Sequence, residues 1–329
     1  MEDRINIGHG DGGKLTQDLI KEVFLAKFKN AVLSKLEDSA VLEIEGKRIA
    51  FTTDSYTLSP IFIPGADIGK LAVTGTINDL AVMGAKPLFL SCAFVIEEGF
   101  ETKALKKIVD SMQKEAENVG VALVTGDTKV VEKGSADKIF INTSGIGIII
   151  SSVSKDMIEI GDKILINGTI GDHGACVLAQ RNNFNLSLET DCAALHGLIE
   201  KMLNASTNIK FMRDPTRGGI AAILNEIIQD RDWGILIDED KLPIRDEVSA
   251  FCEILGFDPL QLANEGKVVA VVGKKDASKV LKVMREHPLG RDAEIIGEII
   301  DEPRVLLKTK IGTHRIIDMP LGIQLPRIC

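Results

Sequence analysis

The sequence predicts an α+β fold of two α/β sandwich domains, each a mixed sheet packed with helices, followed by a C-terminal tail. Three observations predict it. The chain has 329 residues, enough for roughly two domains of ordinary size. Each half mixes hairpin-like apolar runs with amphipathic helical stretches, without the strict strand–helix alternation of a doubly wound sheet. A polar stretch, SSVSKDMIEIGD, separates the halves. The expected organisation is an arm and helix over 1–38, an N-terminal domain over 39–152, a C-terminal domain over 153–310 and a flexible tail over 311–329.

The elements follow in order. Residues 1–14 are polar and glycine-rich. A helix follows, with Thr16 as cap and apolar residues at Leu19, Ile20, Val23 and Phe24. AVLEIEGKRIAFTTDS reads as a hairpin turning at Glu45-Gly46. ADIGKLAVTGTINDLAVMGA reads as a helix ended by Gly84. PLFLSCAFVI reads as a buried strand, and ETKALKKIVDSMQKEAENVG as an amphipathic helix ended by Gly120. VALVTGD and KIFINTSGIGIII are strands. In the second half KILINGTI, WGILID, KVVAVVG and AEIIGEII are strands. DHGACVLAQR, DCAALHGLIEKML, GGIAAILNEIIQD and ASKVLKVMREH are helices. After about residue 311 the pattern fades, and Pro320 and Pro326 disfavour a helix there.

Composition narrows the function. Apolar residues make up 45% and charged residues 26%, the mix of a soluble globular protein. Aromatics are only 4%, so the cores must rest on Ile, Val, Leu and Ala. A net charge of −9 argues against a nucleic-acid binder, which needs a basic surface. It leaves nucleotides open, because local amides and magnesium hold phosphates. No apolar run approaches the roughly 20 residues of a membrane span, and the N-terminus carries no apolar signal segment. Five scattered cysteines without a CxxC fit free thiols in a reducing cytoplasm.

Several motifs carry chemistry. GHGDGGKL matches a dinucleotide fingerprint and most of a P-loop, yet only MEDRINI precedes it, and Leu15 stands where a P-loop needs Ser or Thr. Both named folds are excluded. A glycine arm whose amides wrap an anion, with Lys14 adding charge, remains, beside the alternative of a solvated arm. Asp54 ends a strand, Asn78 and Asp79 lie inside an apolar helix, and Asp127 follows another strand. Buried carboxylates are costly unless compensated, and magnesium with a nucleotide would compensate them; separate caps and turns are the bland alternative. RDPTRGG places Arg213, Asp214 and Arg217 before a helix N-terminus able to meet an anion, or to be capped by Asp214. ANEGK supplies Asn264 and Glu265. His173, Cys176, Cys192 and His196 have zinc-compatible types, but their apolar helical surroundings favour buried core. No GxSxG pattern appears. The chain ends in PRIC, with a thiol on the last residue, Cys329.

Taken in order, GHGDGGK, TTDSY, GTINDLAVMGAKP, VTGDTKVV, INTSGIG, NGTIGDHG, RDPTRGG and ANEGK, closed by PRIC, resemble the HypE family of hydrogenase maturation proteins in the PurM-like superfamily. The resemblance spans nearly the whole chain. It implies PurM-like domains, a homodimer formed through the N-terminal one, and ATP with Mg2+ between the domains. It implies that a HypF-type carbamoyltransferase loads Cys329 with a carbamoyl group. ATP-dependent dehydration then gives a thiocyanate, and the cyanide passes to iron on a HypC–HypD complex. By the same resemblance Asp54, Asp79 and Asp127 hold Mg–ATP. Asn78, Thr128, Asn142, Gly10, Gly12, Gly13 and Lys14 contact the nucleotide, and Lys129 or Glu265 orients or deprotonates the carbamoyl group. Two alternatives stand beside it. One is a selenophosphate synthetase-like enzyme, although no cysteine lies near the glycine arm. The other is a scaffold tethering partners through Cys329.

Overall fold

The computed structural model describes residues 4–28 and 30–321; Cys329, the expected carrier, lies outside them. After the glycine arm, α1 (Lys14–Leu19) continues through a π-helical stretch, Ile20–Leu25, into a short α2 (Ala26–Phe28). The expected hairpin is β1 (Ala40–Ile44) and β2 (Lys47–Tyr56). Its turn residues Glu45 and Gly46 both have positive φ, 50° and 75°, the geometry whose twist matches paired strands. A two-stranded ribbon, β3 (Phe62–Ile63) and β4 (Ala66–Asp67), leads into α3 (Ile68–Val82). Asp67 caps α3 by accepting from the amides of Gly69 and Lys70. β5 (Ala85–Glu97), α4 (Thr102–Val119), β6 (Ala122–Val131) and β7 (Ile139–Ile149) complete the first domain.

Its five-stranded sheet runs β1-β2-β7-β5-β6, antiparallel except for β5–β6. α3 is apolar almost all round because it is enclosed, with the sheet on one side and α4 on the other. Leu71, Ile77 and Leu80 are fully buried, each contributing about 1.5–3 kcal/mol of transfer energy. Gly75 lets Tyr56 cross α3: a Cβ there would stand 2.3 Å from the tyrosine oxygen. β5, expected as a buried strand, is half-covered instead. Helices cover one sheet face only, so Phe89 and Val95 point outward and are exposed.

The second domain contains β8 (Lys163–Ile166), α5 (Asp172–Arg181), α6 (His196–Ala205), β9 (Ile209–Arg213), α7 (Gly219–Ile227), β10 (Gly234–Asp238), α8 (Asp246–Leu255), β11 (Val269–Val272), α9 (Ala277–Arg285), β12 (Glu294–Ile300), β13 (Val305–Lys308) and β14 (His314–Ile316). Its seven-stranded mixed sheet runs β14-β13-β10-β12-β8-β11-β9. One apolar cluster lies between the sheet and α7, another between the sheet and α6 with α9. A third cluster joins α3 and α4 to α5 and α8, so the two domains share core. α6 starts only at His196, which leaves Cys192 in the preceding loop rather than in a helix. β14 lies inside the stretch expected to be tail and pairs with β13. β9, β13 and α8 were not anticipated either. The architecture is the α+β arrangement of mixed sheets packed with helices that the sequence implies.

Candidate active site

A cleft of about 710 Å³ opens where the glycine arm, the hairpin, α3 and the loops after β9 and before β11 converge. Asp38, just before β1, Asp79 on α3 and Asp214 after β9 bring carboxylate oxygens within 4.8 Å of one another. Asp54 and Glu265 line the same cleft. The local structure explains each position. On β2 the alternation that buries Thr52 and Tyr56 turns Asp54 toward α3, and the Tyr56 hydroxyl donates to Asp54 Oδ2 at 3.2 Å. Thr52 Oγ1 lies 2.7 Å from Asp79 Oδ2 and 2.9 Å from the Asp38 carbonyl, tying the two acids together. Arg213 Nε lies 2.9 and 3.0 Å from the two Asp38 carboxylate oxygens, and the guanidinium also donates to the Leu36 carbonyl.

Crowding of like charge dominates the electrostatics. Burial, then Asp54, Asp214 and Asp38, push the Asp79 carboxyl well above the usual carboxylate range. Burial with Asp38 and Asp54 raises Asp214 to about 8. Glu265 is raised well above its ordinary value by burial and by Asp214, Asp191 and Asp54, and its Oε1 is buried with no hydrogen-bond partner. The donor set is oxygen only and under-compensated, and it fits a hard divalent cation. It is the one cluster of three or more metal-competent groups among the described residues. The zinc-like quartet does not assemble: His173 Nδ1 is engaged by Thr190 Oγ1 at 2.6 Å and Cys192 Sγ by Thr74 Oγ1 at 3.2 Å.

The remaining expected residues divide between three places. Asn78 is fully buried, and its side chain is spent on backbone: Nδ2 donates to the carbonyls of Ala193 and Glu265, and Oδ1 accepts from Leu195 N. Across the first sheet, Ser55, Asn142, Ala93 and Asp127 stand in one register row. That row faces away from α3, so Asp127 and Asp54 lie on opposite faces of the sheet. Asp127, Thr128 and Lys129 are exposed on the edge strand β6, outside the cleft of their own chain. Asn142 Nδ2 donates to the Asp54 carbonyl at 2.8 Å, supporting that residue from behind. In the arm, Gly12 lines the cleft mouth, while Gly10 and Lys14 do not. Asp38 is the residue that sequence reading missed; it sits in a connector with no motif around it. The Asp79-like signal for Asp214 was present in RDPTRGG but was shared with a capping role.

Two family models match the chain: AIR synthase related protein, N-terminal domain, over residues 36–149, and its C-terminal domain over residues 159–310. The carbamoyl dehydratase HypE of Cupriavidus necator is 46% identical over 333 residues, covering 99% of this chain and 95% of that protein. The crystal structure of a HypE–HypF complex superposes with a TM-score of 0.88 at 52% identity, covering 92% of this chain and 99% of that one. A crystal structure of the hydrogenase maturation protein HypE in complex with ATP gives 0.83 at 43% identity, covering 99% and 100%. Full-length identity of this order, on a shared two-domain fold, places the chain in the HypE family of hydrogenase maturation enzymes, the carbamoyl dehydratases.

Proposed function

We propose that this protein uses ATP to dehydrate a carbamoyl group carried on its own Cys329, giving a thiocyanate that supplies a cyanide ligand for hydrogenase maturation. The observation that carries the reading is the half-buried carboxylate cluster beside the buried, unpartnered Glu265 oxygen, in a chain of this family. Asp38, Asp79 and Asp214, with Asp54 beside them, are the residues suited to hold magnesium with the triphosphate. The ion would neutralise charge on the transferring phosphoryl group.

The chemistry balances as follows. The carbamoyl oxygen attacks the γ-phosphorus, the bond to ADP breaks, and one N–H proton is lost. The second N–H proton then leaves as the C–O bond breaks, releasing phosphate and forming C≡N on sulfur. Each step needs a proton acceptor within reach. Glu265 is the acidic residue of the cleft placed for this, because its Oε1 is committed to nothing else. Tyr56, held as a neutral phenol by burial and by Asp54 and Asp79, keeps a proton to donate and fixes Asp54. Replacing Cys329 with Ala is expected to abolish thiocyanate while Mg–ATP binds as before. Thiocyanate found by mass spectrometry in that variant would remove the carrier role.

The outward sheet face supports a homodimer. Phe51, Phe89, Ile146, Ile148 and Val95 are all exposed there, too much clustered apolar surface for a free face. A second copy on this face would cover it and would bring the Asp127–Thr128–Lys129 strand into an interface. Sedimentation is expected to give a dimer, and a monomer at micromolar concentration would contradict this. A HypF-type carbamoyltransferase is the proposed donor and a HypC–HypD complex the acceptor, with the reaction proposed to take place in the cytoplasm.

A further inference from the structure

The geometry points to the glycine arm as the seat of the C-terminal tail, with Gly13 as a positioning residue for the carrier thiol rather than part of a phosphate cradle. The inference rests on the dehydratase reading above. A phosphate cradle needs unengaged backbone amides. Here three consecutive amides already have acceptors within the chain: Gly12 N donates to Thr16 Oγ1, Gly13 N to Asp11 Oδ1 and Lys14 N to the Pro320 carbonyl, each at 3.0 Å.

The glycines are explained by close packing instead. A Cβ on Gly13 would stand 2.4 Å from the Pro320 carbonyl oxygen, so no side chain fits without moving the tail backbone. Gly12, at φ +83°, faces Arg217 on its other side, where a Cβ would meet backbone at 2.8 Å. The arm is therefore clasped between the turn that follows Asp214 and the tail. Further contacts hold the tail's entry: Asn225 Nδ2 donates to the Ile317 carbonyl at 3.0 Å, and Gln17 Nε2 approaches Met319 Sδ at 3.9 Å. Gly12, Thr16 and Gln17 also line the cleft. The clasp thus fixes the point from which the last residues set out at the mouth of the carboxylate site.

Two variants break the clasp differently. Gly13→Ala intrudes on the Pro320 carbonyl. Lys14→Pro deletes the donating N–H while suiting a first helical position. In both, hydrogen exchange of residues 314–321 is expected to rise at least fivefold. Single-turnover dehydration of the carbamoylated protein at saturating Mg–ATP should fall at least tenfold. For Gly13→Ala, the Kd for Mg–ATP measured by calorimetry should stay within twofold. A tenfold weaker Kd in Gly13→Ala would restore the phosphate cradle and overturn the inference. So would turnover within twofold of the parent in both variants, or unchanged exchange. If the parent itself forms no thiocyanate, the dehydratase reading fails, and the exchange and calorimetry still decide where the tail is seated.

Discussion

Asp79→Asn is expected to weaken Mg-dependent ATP binding by at least a hundredfold, while the melting temperature holds or rises. The amide keeps the shape and can still accept from Thr52, so packing is preserved. What it removes is one anionic oxygen from a site whose other members, Asp38, Asp54 and Asp214, repel it. Ligand loss and relief of repulsion are opposite consequences of the same change, the usual trade between function and stability. The parent also carries a pH signature. Asp214, raised to about 8, is protonated near neutrality, and a cation must displace that proton. Affinity for Mg–ATP should therefore rise with pH toward the Asp214 value of about 8, and binding should release protons. The sign for stability is the reverse. A carboxyl that binds its proton more tightly folded than unfolded loses its stabilising contribution as pH climbs from its unfolded value near 4 through that folded value. Calorimetry in buffers of different ionisation enthalpy should count fewer protons released by Asp79→Asn than by the parent; equal counts would remove Asp79 from the site.

Glu265→Gln should leave Mg–ATP affinity within about threefold and slow dehydration by about 10²–10⁴, the range of a positioned proton acceptor. The amide is isosteric, and the backbone that holds the residue is unchanged: its N–H goes to Asp191 and its carbonyl to Asn78. Rapid-quench measurement of thiocyanate from carbamoylated protein separates this from a binding defect. A rate within a factor of three of the parent would move the proton acceptor elsewhere, with Lys129 of the second copy in the proposed dimer as the next candidate.

Sequence reading reached the fold because most long elements announce themselves in a local period, the ten-residue α8 being the exception. α4 and α9 alternate by helical turns, and the β1–β2 hairpin turns at Glu45-Gly46, where the glycine suits positive φ. It missed β9, β13 and β14, which are three to five residues long and owe their existence to neighbours already in the sheet. The candidate site was legible where a carboxylate ends or interrupts an apolar run, as at Asp54 and Asp79, while Glu265 was reached only through the resemblance of ANEGK to the family. It was illegible at Asp38, whose connector looks like any surface turn and whose placement depends on Arg213, 175 positions away in the chain. The face on which Asp127 stands could not be read either. That depends on strand register counted from β2 to β6, which no single strand reveals.

Asn78 bears on how the enzyme moves. Its amide, fully buried, joins α3 of the first domain to three backbone groups of the second. Swinging the domains apart would strand those buried groups, at about 1–3 kcal/mol each, before any shared apolar core is exposed. An open form is therefore rare in the resting population, and hinge closure is an unsuitable way to admit or expel reactants. Traffic falls to the chain termini. On the proposed carrier role, the substrate is joined covalently to the same chain nine residues beyond Pro320, which raises its effective concentration at the cleft. On that proposal the body is a fixed workbench for a substrate it carries itself, and turnover should respond to the number of residues between Pro320 and Cys329 more than to anything that stiffens the domains.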